Sequence, residues 1–599
     1  MTQLTTQRAT GILRVFEDAG ILAPADVHVA LRLGALGQED REPVLLAVAL
    51  TVRALRLGSV CVELDRLREH GADQDTDDLP WPEPDELVSL LRTSPLVTGG
   101  DQGPLIPLTL VRSDSGWLLS FTRYHRQEET IRAALAERER TRPHVDLSAA
   151  RAKLDELFPG HDAPDRQRVA AALAATEWTT IVAGGPGTGK THTAARILAL
   201  LHALHGPSLR VALAAPTGRA AARMQEAVTR QDLGLPDGLT ATTLHRLLGW
   251  RRDSRSRFAH NAHRRLPHDV VIVDETSMVS LTLMARLIEA LRADTRLILL
   301  GDPDQLASVD AGAVLADLVA RPVRRPANPA LAQLVDLDGA GGEEPPLSAQ
   351  EREKLCGGIV RLRRGRRFSG AIAELADAVR RGAVDEALDL LRSGDDAVEL
   401  CSATDLDELQ RDVTASAVAL REAADRGDAT AARGALTAHR VLCAHRDGPQ
   451  GVQHWNRLAV EWAGIAAGHR FDPDRGFPGQ PLLATETDYD AGISNGDTGV
   501  ILRRDDGLVA AFDTGVLVHP SRLSGVQTAY AMTIHRSQGS QYDTVSIVLP
   551  DTSSAILTRQ LLYTAITRAQ QRVRIIGSED ALRAAVERQA LRASGLSRA

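Results

Sequence analysis

Eight consecutive residues constrain this chain more than any others: Gly184-Gly185-Pro186-Gly187-Thr188-Gly189-Lys190-Thr191. They follow an apolar run, Thr180-Ile181-Val182-Ala183, and lead into an amphipathic stretch beginning at His192. The pattern G-x-x-x-x-G-K-[ST] between a strand and a helix is a phosphate cradle. Its glycines let successive backbone N–H groups turn inward on a triphosphate, and the helix N-terminus adds its dipole. Lys190 supplies a compact charge for the β- and γ-phosphates, and Thr191 Oγ1 suits Mg²⁺. Only three of the 70 basic residues are lysines (Lys153, Lys190 and Lys354), so the lysine at this slot is no by-product of composition. An α/β fold with a parallel sheet follows, with ATP and Mg²⁺ as expected cofactors.

Val271-Ile272-Val273-Asp274-Glu275 is a second apolar strand, this one ending in two acids. Asp274 is placed to hold Mg²⁺, and Glu275 to orient and polarise an attacking water. Leu299-Leu300-Gly301-Asp302-Pro303-Asp304-Gln305 is a third strand end, whose carboxamide Gln305 suits sensing of a γ-phosphate. Together these residues describe an ATPase.

A length of 599 residues suggests about three or four domains. Up to residue 150 the chain reads as short helices, such as 43–56 and 85–92, with a strand-like piece over 105–122 and no catalytic constellation. From 151 to 330 strand–loop–helix units repeat, with strands expected over 179–183, 209–215, 269–273 and 295–300. Residues 331–358, with Pro345-Pro346 and the Gly-Ala-Gly-Gly of 339–342, read as a flexible linker. A second α/β run occupies 359–599, with a helix over 369–381 and strands over 440–443, 544–549 and 572–576. A small β-barrel is expected to be inserted in it near 480–525.

The formal charge of −8 excludes a globally basic nucleic-acid coat protein, so a polyanion must be held by local patches. The best apolar run, 43–52, falls short of the ~18 residues of a membrane helix, so no membrane association is expected. The first twenty residues carry Glu17 and Asp18 and suggest no secretory leader. Cys61, Cys356, Cys401 and Cys443 lie far apart with no CxxC spacing, which argues against an iron–sulfur cluster or structural zinc and fits a cytoplasmic protein.

Asp274-Glu275-Thr276-Ser277-Met278 and Gly301-Asp302-Pro303-Asp304-Gln305-Leu306 resemble motifs II and III of superfamily 1 helicases. Gln167 matches that family's adenine-reading glutamine. Ala215-Pro216-Thr217-Gly218-Arg219-Ala220-Ala221 resembles motif Ia, and residues 242–248 the next DNA-contacting motif. Residues 362–368, with Arg367, resemble motif IV. Ala531-Met532-Thr533-Ile534-His535-Arg536-Ser537-Gln538-Gly539-Ser540 resembles motif V, and Leu561-Leu562-Tyr563-Thr564-Ala565-Ile566-Thr567-Arg568-Ala569 motif VI. The likeness runs in family order from 160 to 578 and is closest to the RecD-like 5′→3′ branch.

The resemblance implies two tandem RecA-like motor lobes behind a mainly helical N-terminal domain, with an SH3-like insertion in the second lobe. It implies an ATP-dependent 5′→3′ DNA helicase in which Lys190, Glu275, Gln305, Arg367 and Arg568 carry catalysis. Arg367 and Arg568 come from the second lobe, so the site is complete only when the lobes close, and such an arginine is worth ~10³–10⁵ in rate. Gln167, the glycine loop from Gly184 to Thr191, His192, Gly539 and Gln541 would hold the nucleotide. Pro216, Thr217, Arg219, Thr243, His245, Trp250, Arg251, Arg252, Thr533 and His535 would hold DNA, with a hairpin near 250–267 at the strand-separation point. The family's partners are RecB-like and RecC-like subunits, the process double-strand-break repair and homologous recombination, and residues 1–150 would dock on the RecC-like chain. A free-standing RecD-like helicase remains an alternative, as does an assembly subunit with a regulatory ATP site.

Two positions depart from the family pattern. Arg536 replaces a lysine, and Gln541 replaces a glutamate, which removes a charge at the expected ribose contact. Arg251, Arg252, Arg255, Arg257, Arg264 and Arg265 interleave with Trp250 and Phe258, a composition that suits a single strand. Arg361, Arg363, Arg364 and Arg366 form a second basic cluster. No nuclease centre of the PD-(D/E)xK type is expected, because Arg151, Arg352 and Thr188 stand two residues before the three lysines.

Overall fold

The structure is a computed structural model that describes residues 9–71, 78–98, 106–114, 116–160, 165–231, 233–236, 238–251, 258–338, 345–365, 370–488, 490–505, 507–590 and 592–597. Arg252 and Arg367 lie outside the described residues, as do Arg255, Arg257 and Arg366 of the basic clusters.

The strand before the glycine loop, Thr179–Gly184, sits in a six-stranded sheet. The order is Ile359–Leu362, Thr179–Gly184, Arg296–Gly301, Val270–Val273, Val211–Ala215, Ala241–Thr243. Every neighbouring pair is parallel. Helices cover both faces, which is why Val270–Val273 and Arg296–Gly301 read as unbroken apolar runs and are wholly buried. Arg166–Thr176 and Lys190–His205 pack on one face, Leu281–Ala290 and Thr122–Glu139 on the other.

Two boundary expectations fail. Ile359–Leu362, expected to open the second lobe, pairs with Thr179–Gly184 as an edge of the first sheet, Leu362 opposite Gly184. Residues 331–358 are not a bare linker: Pro329–Leu334 and Ala349–Cys356 are helices that bury Leu331, Leu334 and Leu355 in the first lobe's core. Ser348 and Glu351 close a capping box there, and Pro329 opens the preceding helix, a position that suits proline. The Gly-Ala-Gly-Gly stretch lies outside the described residues.

The second sheet has five parallel strands in the order Val398–Cys401, Ala569–Ile576, Tyr542–Val548, His439–Cys443, Ala531–Thr533. Its core takes in the helices Ala371–Arg381 and Arg559–Ile566. Between His439–Cys443 and Ala531–Thr533 the chain forms an antiparallel five-stranded unit, ordered Leu517–Val518, Gly507–Phe512, Thr498–Arg504, Pro481–Ala484, Val526–Thr528. Among the described residues its ladders run from edge to edge without closing into the expected barrel, and it extends past residue 525.

The leading region combines the helices Gly11–Asp18, Pro24–Gly37, Glu42–Arg56 and Pro84–Arg92 with a four-stranded sheet around Phe16, Leu46, Leu87 and Leu119. It is bolted to the first lobe through Arg138. That guanidinium donates to Thr179 Oγ1 (2.9 Å) and Trp178 O (2.7 Å), and burial pulls its pKa down to about 10. The end of the chain also departs from expectation. Residues 592–597 leave the second lobe, and Val60 N donates to Ala593 O (2.8 Å) while Leu596 is buried in the first lobe's core.

Candidate functional site

The glycine loop lies at the carboxyl end of Thr179–Gly184, where an open parallel sheet offers its crevice. Gly187 and Gly189 take φ of +80° and +82°, values that favour glycine. A Cβ on Gly189 would lie 2.6 Å from Gln167 Nε2, and one on Gly184 2.7 Å from Thr188 Oγ1, so the loop is closed to larger residues. Gln167 is placed by its helix, which Asp165 caps, and donates to Thr188 O (3.1 Å). Lys190 Nζ donates to Gly184 O (2.7 Å) and Gly185 O (2.9 Å), folded back over the cradle it would share with a phosphate.

Thr191 Oγ1 donates to Asp274 Oδ2 (2.9 Å). Burial, and then the neighbouring Glu275 charge, raise the Asp274 carboxyl above its usual range, while Lys190 and the Thr191 hydroxyl lower it. An adjacent hydroxyl and carboxylate, both oxygen donors, fit a hard divalent cation. Glu275 is one of two non-glycine described residues in the left-handed region, at φ +50°. That conformation costs roughly 1–2 kcal/mol and turns its carboxyl away from the strand into the crevice.

These groups line a cavity of about 530 Å³. Gln167, Pro186, Gly187, Gly189, Lys190, Thr191, His192, Asp274, Glu275 and Gln305 reach it from the first lobe. Gln541 and Arg568 reach it from the second, so residues nearly 400 positions apart share one enclosure. Arg568 is 3% exposed and donates to Gln305 Oε1 (3.0 Å), Thr564 O (3.1 Å) and Ser540 O (3.4 Å). Gln305 Nε2 in turn donates to Asp302 (3.0 Å), whose carboxyl burial pushes up to about 6. Leu306 strengthens this contact: its N–H donates to Thr564 Oγ1 (2.9 Å), and its carbonyl accepts from Gln538 Nε2 (2.8 Å). Gly539, at φ +73°, faces Ala220. Arg367 is not among the described residues, but the segment carrying it leaves the first sheet at Leu362, opposite Gly184, and rejoins described structure at Gly370.

Sequence reasoning missed four groups. Arg223, Glu226 and Arg230 line the same cavity from the helix Gly218–Thr229 and its end. Arg223 is four positions after Arg219 and so on the same helix face, a spacing that carried the signal. Tyr563 is buried, and a Cβ on Gly185 would stand 3.0 Å from its hydroxyl, so this second-lobe residue touches the cradle. Burial and the charges of Asp302 and Asp304 raise its pKa.

The candidate DNA residues fall into groups. Thr217, Thr243 and Thr533 each stand at the carboxyl end of a parallel strand and accept a backbone N–H, from Ala220 (3.2 Å), Arg246 (3.2 Å) and Arg536 (3.3 Å) respectively. Pro216 joins the strand Val211–Ala215 to the first of these caps. His245 and His535 are held below their ordinary pKa by burial, so both are neutral at pH 7. Trp250 forms an isolated antiparallel bridge with Phe258, at the place of the expected hairpin, and Arg251 beside it is exposed. Arg219 behaves differently: its guanidinium faces Asp513 of the inserted sheet (3.8 Å), so its charge is directed between the lobes.

Residues 18–114 match the family described as "RecBCD enzyme subunit RecD, N-terminal domain", residues 167–311 an AAA domain, and residues 528–576 a UvrD-like helicase C-terminal domain. The chain is 46% identical to the RecBCD enzyme subunit RecD of Mycolicibacterium smegmatis, over 96% of this chain and 97% of that one. It is also 46% identical to that of Mycobacterium tuberculosis, over 98% and 96%. It is 33% identical to the ATP-dependent RecD2 DNA helicase of Deinococcus radiodurans, over 68% of this chain and 48% of that protein. With this identity held from end to end, the chain belongs to the RecD family.

Proposed function

We propose that this chain is an ATP-dependent 5′→3′ DNA helicase, the motor subunit of a RecBCD-type helicase–nuclease acting in double-strand-break repair and homologous recombination. The observation that carries the reading is the hydrogen bond from Arg568 of the second lobe to Gln305 of the first, at the edge of the cavity holding Lys190, Asp274 and Glu275. A γ-phosphate bound there would draw Lys190 off its loop carbonyls and engage Arg568, tying hydrolysis to the relation between the lobes. Thr191 and Asp274 would hold Mg²⁺, which neutralises charge on the transferring phosphoryl group. Glu275 orients and polarises the attacking water, and Arg367 joins Arg568 from the second lobe. Gln167 would read the adenine, with His192, Gly539 and Gln541 completing the nucleotide site.

Thr217, Thr243 and Thr533 with His245 and His535 lie along the carboxyl ends of both sheets, a surface suited to a single strand. The end-to-end likeness to RecBCD subunits supports RecB-like and RecC-like partners, with the leading region docking on the latter. The likeness to RecBCD subunits supports a cytoplasmic protein; separately, no helix among the described residues is long and apolar enough to cross a membrane.

The test pairs unwinding of duplexes carrying a 5′ or a 3′ tail with pull-down of partners. Lys190→Gln should abolish ATP hydrolysis and unwinding while leaving assembly intact. Unchanged unwinding refutes the motor role. Efficient unwinding by the isolated chain, with no partner captured, favours the free-standing alternative.

A further inference from the structure

A cavity of about 430 Å³ lies between the leading region and the first lobe, and none of its described lining residues belongs to the nucleotide cavity or to the second lobe. His245 and Phe258 line it from the first lobe, with ring centroids 6.0 Å apart. Arg123 and Tyr124 line it from the leading region, the guanidinium 5.8 Å from the Tyr124 ring centroid. Val309 stands on its lip with 80% of its surface exposed, the most of any large hydrophobic residue among the described residues.

This arrangement is built. The loop carrying Val309 is pinned at both ends: Gly312 N donates to Gly58 O (3.0 Å), and Arg592 from the chain end donates to Ser308 O (3.0 Å). Tyr124 and Phe258 are half-buried, their inner edges against the first lobe's core, so each presents one fixed face. Arg56, also on the wall, is committed to Asp26 (2.8 Å). Arg123 is exposed and makes no ion pair among the described residues. Asp310 is the carboxylate of the wall, and its charge opposes the burial that lowers the His245 pKa.

We propose that the leading region, besides docking a partner, forms one wall of the single-strand path, where Arg123 takes a backbone phosphate and Tyr124, Phe258 and Val309 offer faces to bases. A guanidinium beside aromatic and aliphatic faces is the chemistry that holds unpaired nucleic acid. Asp310 can accept from an exocyclic base amine, which a phosphate-only groove would not tolerate. The inference rests on the reading of residues 242–248 as facing DNA, since His245 belongs to both.

The test uses the full chain, a fluorescent oligothymidine, and anisotropy over a series of NaCl concentrations. Arg123→Glu should weaken binding about five-fold or more and flatten the log–log salt slope by about 0.7, the value of one single-strand phosphate. Tyr124→Ala should weaken it about five-fold or more with the slope unchanged, because stacking releases no counterion. Arg140→Glu, at the other end of the same helix and paired with Glu137, should match wild type. Iodouracil-bearing DNA should cross-link to the peptide containing Tyr124. If wild type binds but Arg123→Glu and Tyr124→Ala bind equally well, the inference is overturned while the motor reading stands. If wild type itself fails to bind, the DNA reading falls and this one with it.

Discussion

Replacing Arg568 with alanine separates structural from chemical roles in the inter-lobe contact. The side chain donates hydrogen bonds to Gln305, Thr564 and Ser540 in a buried setting. Thr564 O keeps a second donor, Thr567 Oγ1 (3.0 Å), so the truncation chiefly strands Gln305 Oε1 and Ser540 O. At ~1–3 kcal/mol for each of the two stranded groups the fold loses about 2–6 kcal/mol, readable as a lowered urea midpoint. The chemical loss should be larger, because an arginine answering a γ-phosphate is worth ~10³–10⁵ in turnover, or about 4–7 kcal/mol of barrier. Steady-state ATP hydrolysis on saturating single-stranded DNA should therefore fall at least about 10³-fold in Arg568→Ala, while calorimetric ADP affinity stays within about three-fold because ADP lacks the phosphate in question. Arg568→Lys keeps the charge but has no planar fork to span three acceptors, so it should recover less than about a tenth of wild-type turnover. Turnover within ten-fold of wild type in the alanine variant, or ADP affinity falling in step with turnover, refutes the assignment.

Glu275 offers a paired test of strain and chemistry. Glu275→Gln should cut turnover by about 10²–10⁴ without moving the melting temperature, whereas Glu275→Gly should lose the same activity and gain roughly 1 kcal/mol of stability, since glycine accepts φ +50° freely; a destabilised glycine variant contradicts the strain. Asp302 predicts a pH dependence. Its carboxyl is raised from the ordinary 3.8 to about 6 by burial, so the ionised form is disfavoured in the fold and this group's contribution to stability falls by about 2 kcal/mol as pH rises from 4 to 6. Asp302→Asn lacks this titration, so its urea midpoint should gain on wild type across that window and hold the gain above it; a gap independent of pH sinks the argument.

The parts legible in the sequence are those decided locally. The phosphate cradle needs only its own glycines, its lysine and the strand before it, and both parallel sheets announce themselves as apolar runs buried on two faces. What stayed hidden depends on partners far away in the chain. Ile359-Val360 would suit either sheet, and only pairing with Ile181 and Val182 assigns it to the first. Arg219 sits in a motif that resembles a DNA contact, yet the inserted sheet brings Asp513 to it. Nothing in 592–597 signals that Leu596 fills the first lobe's core.

The misassigned strand matters most for how the motor works. Had the second lobe begun at 359, its attachment would lie at an arbitrary point on the first. Instead the chain leaves the first sheet at Leu362, beside Gly184, and enters the second lobe's core at Ala371 and Ile372. The connection between lobes is thereby anchored next to the glycine loop, and Tyr563, Thr564 and Arg568 return to the same corner from the far side.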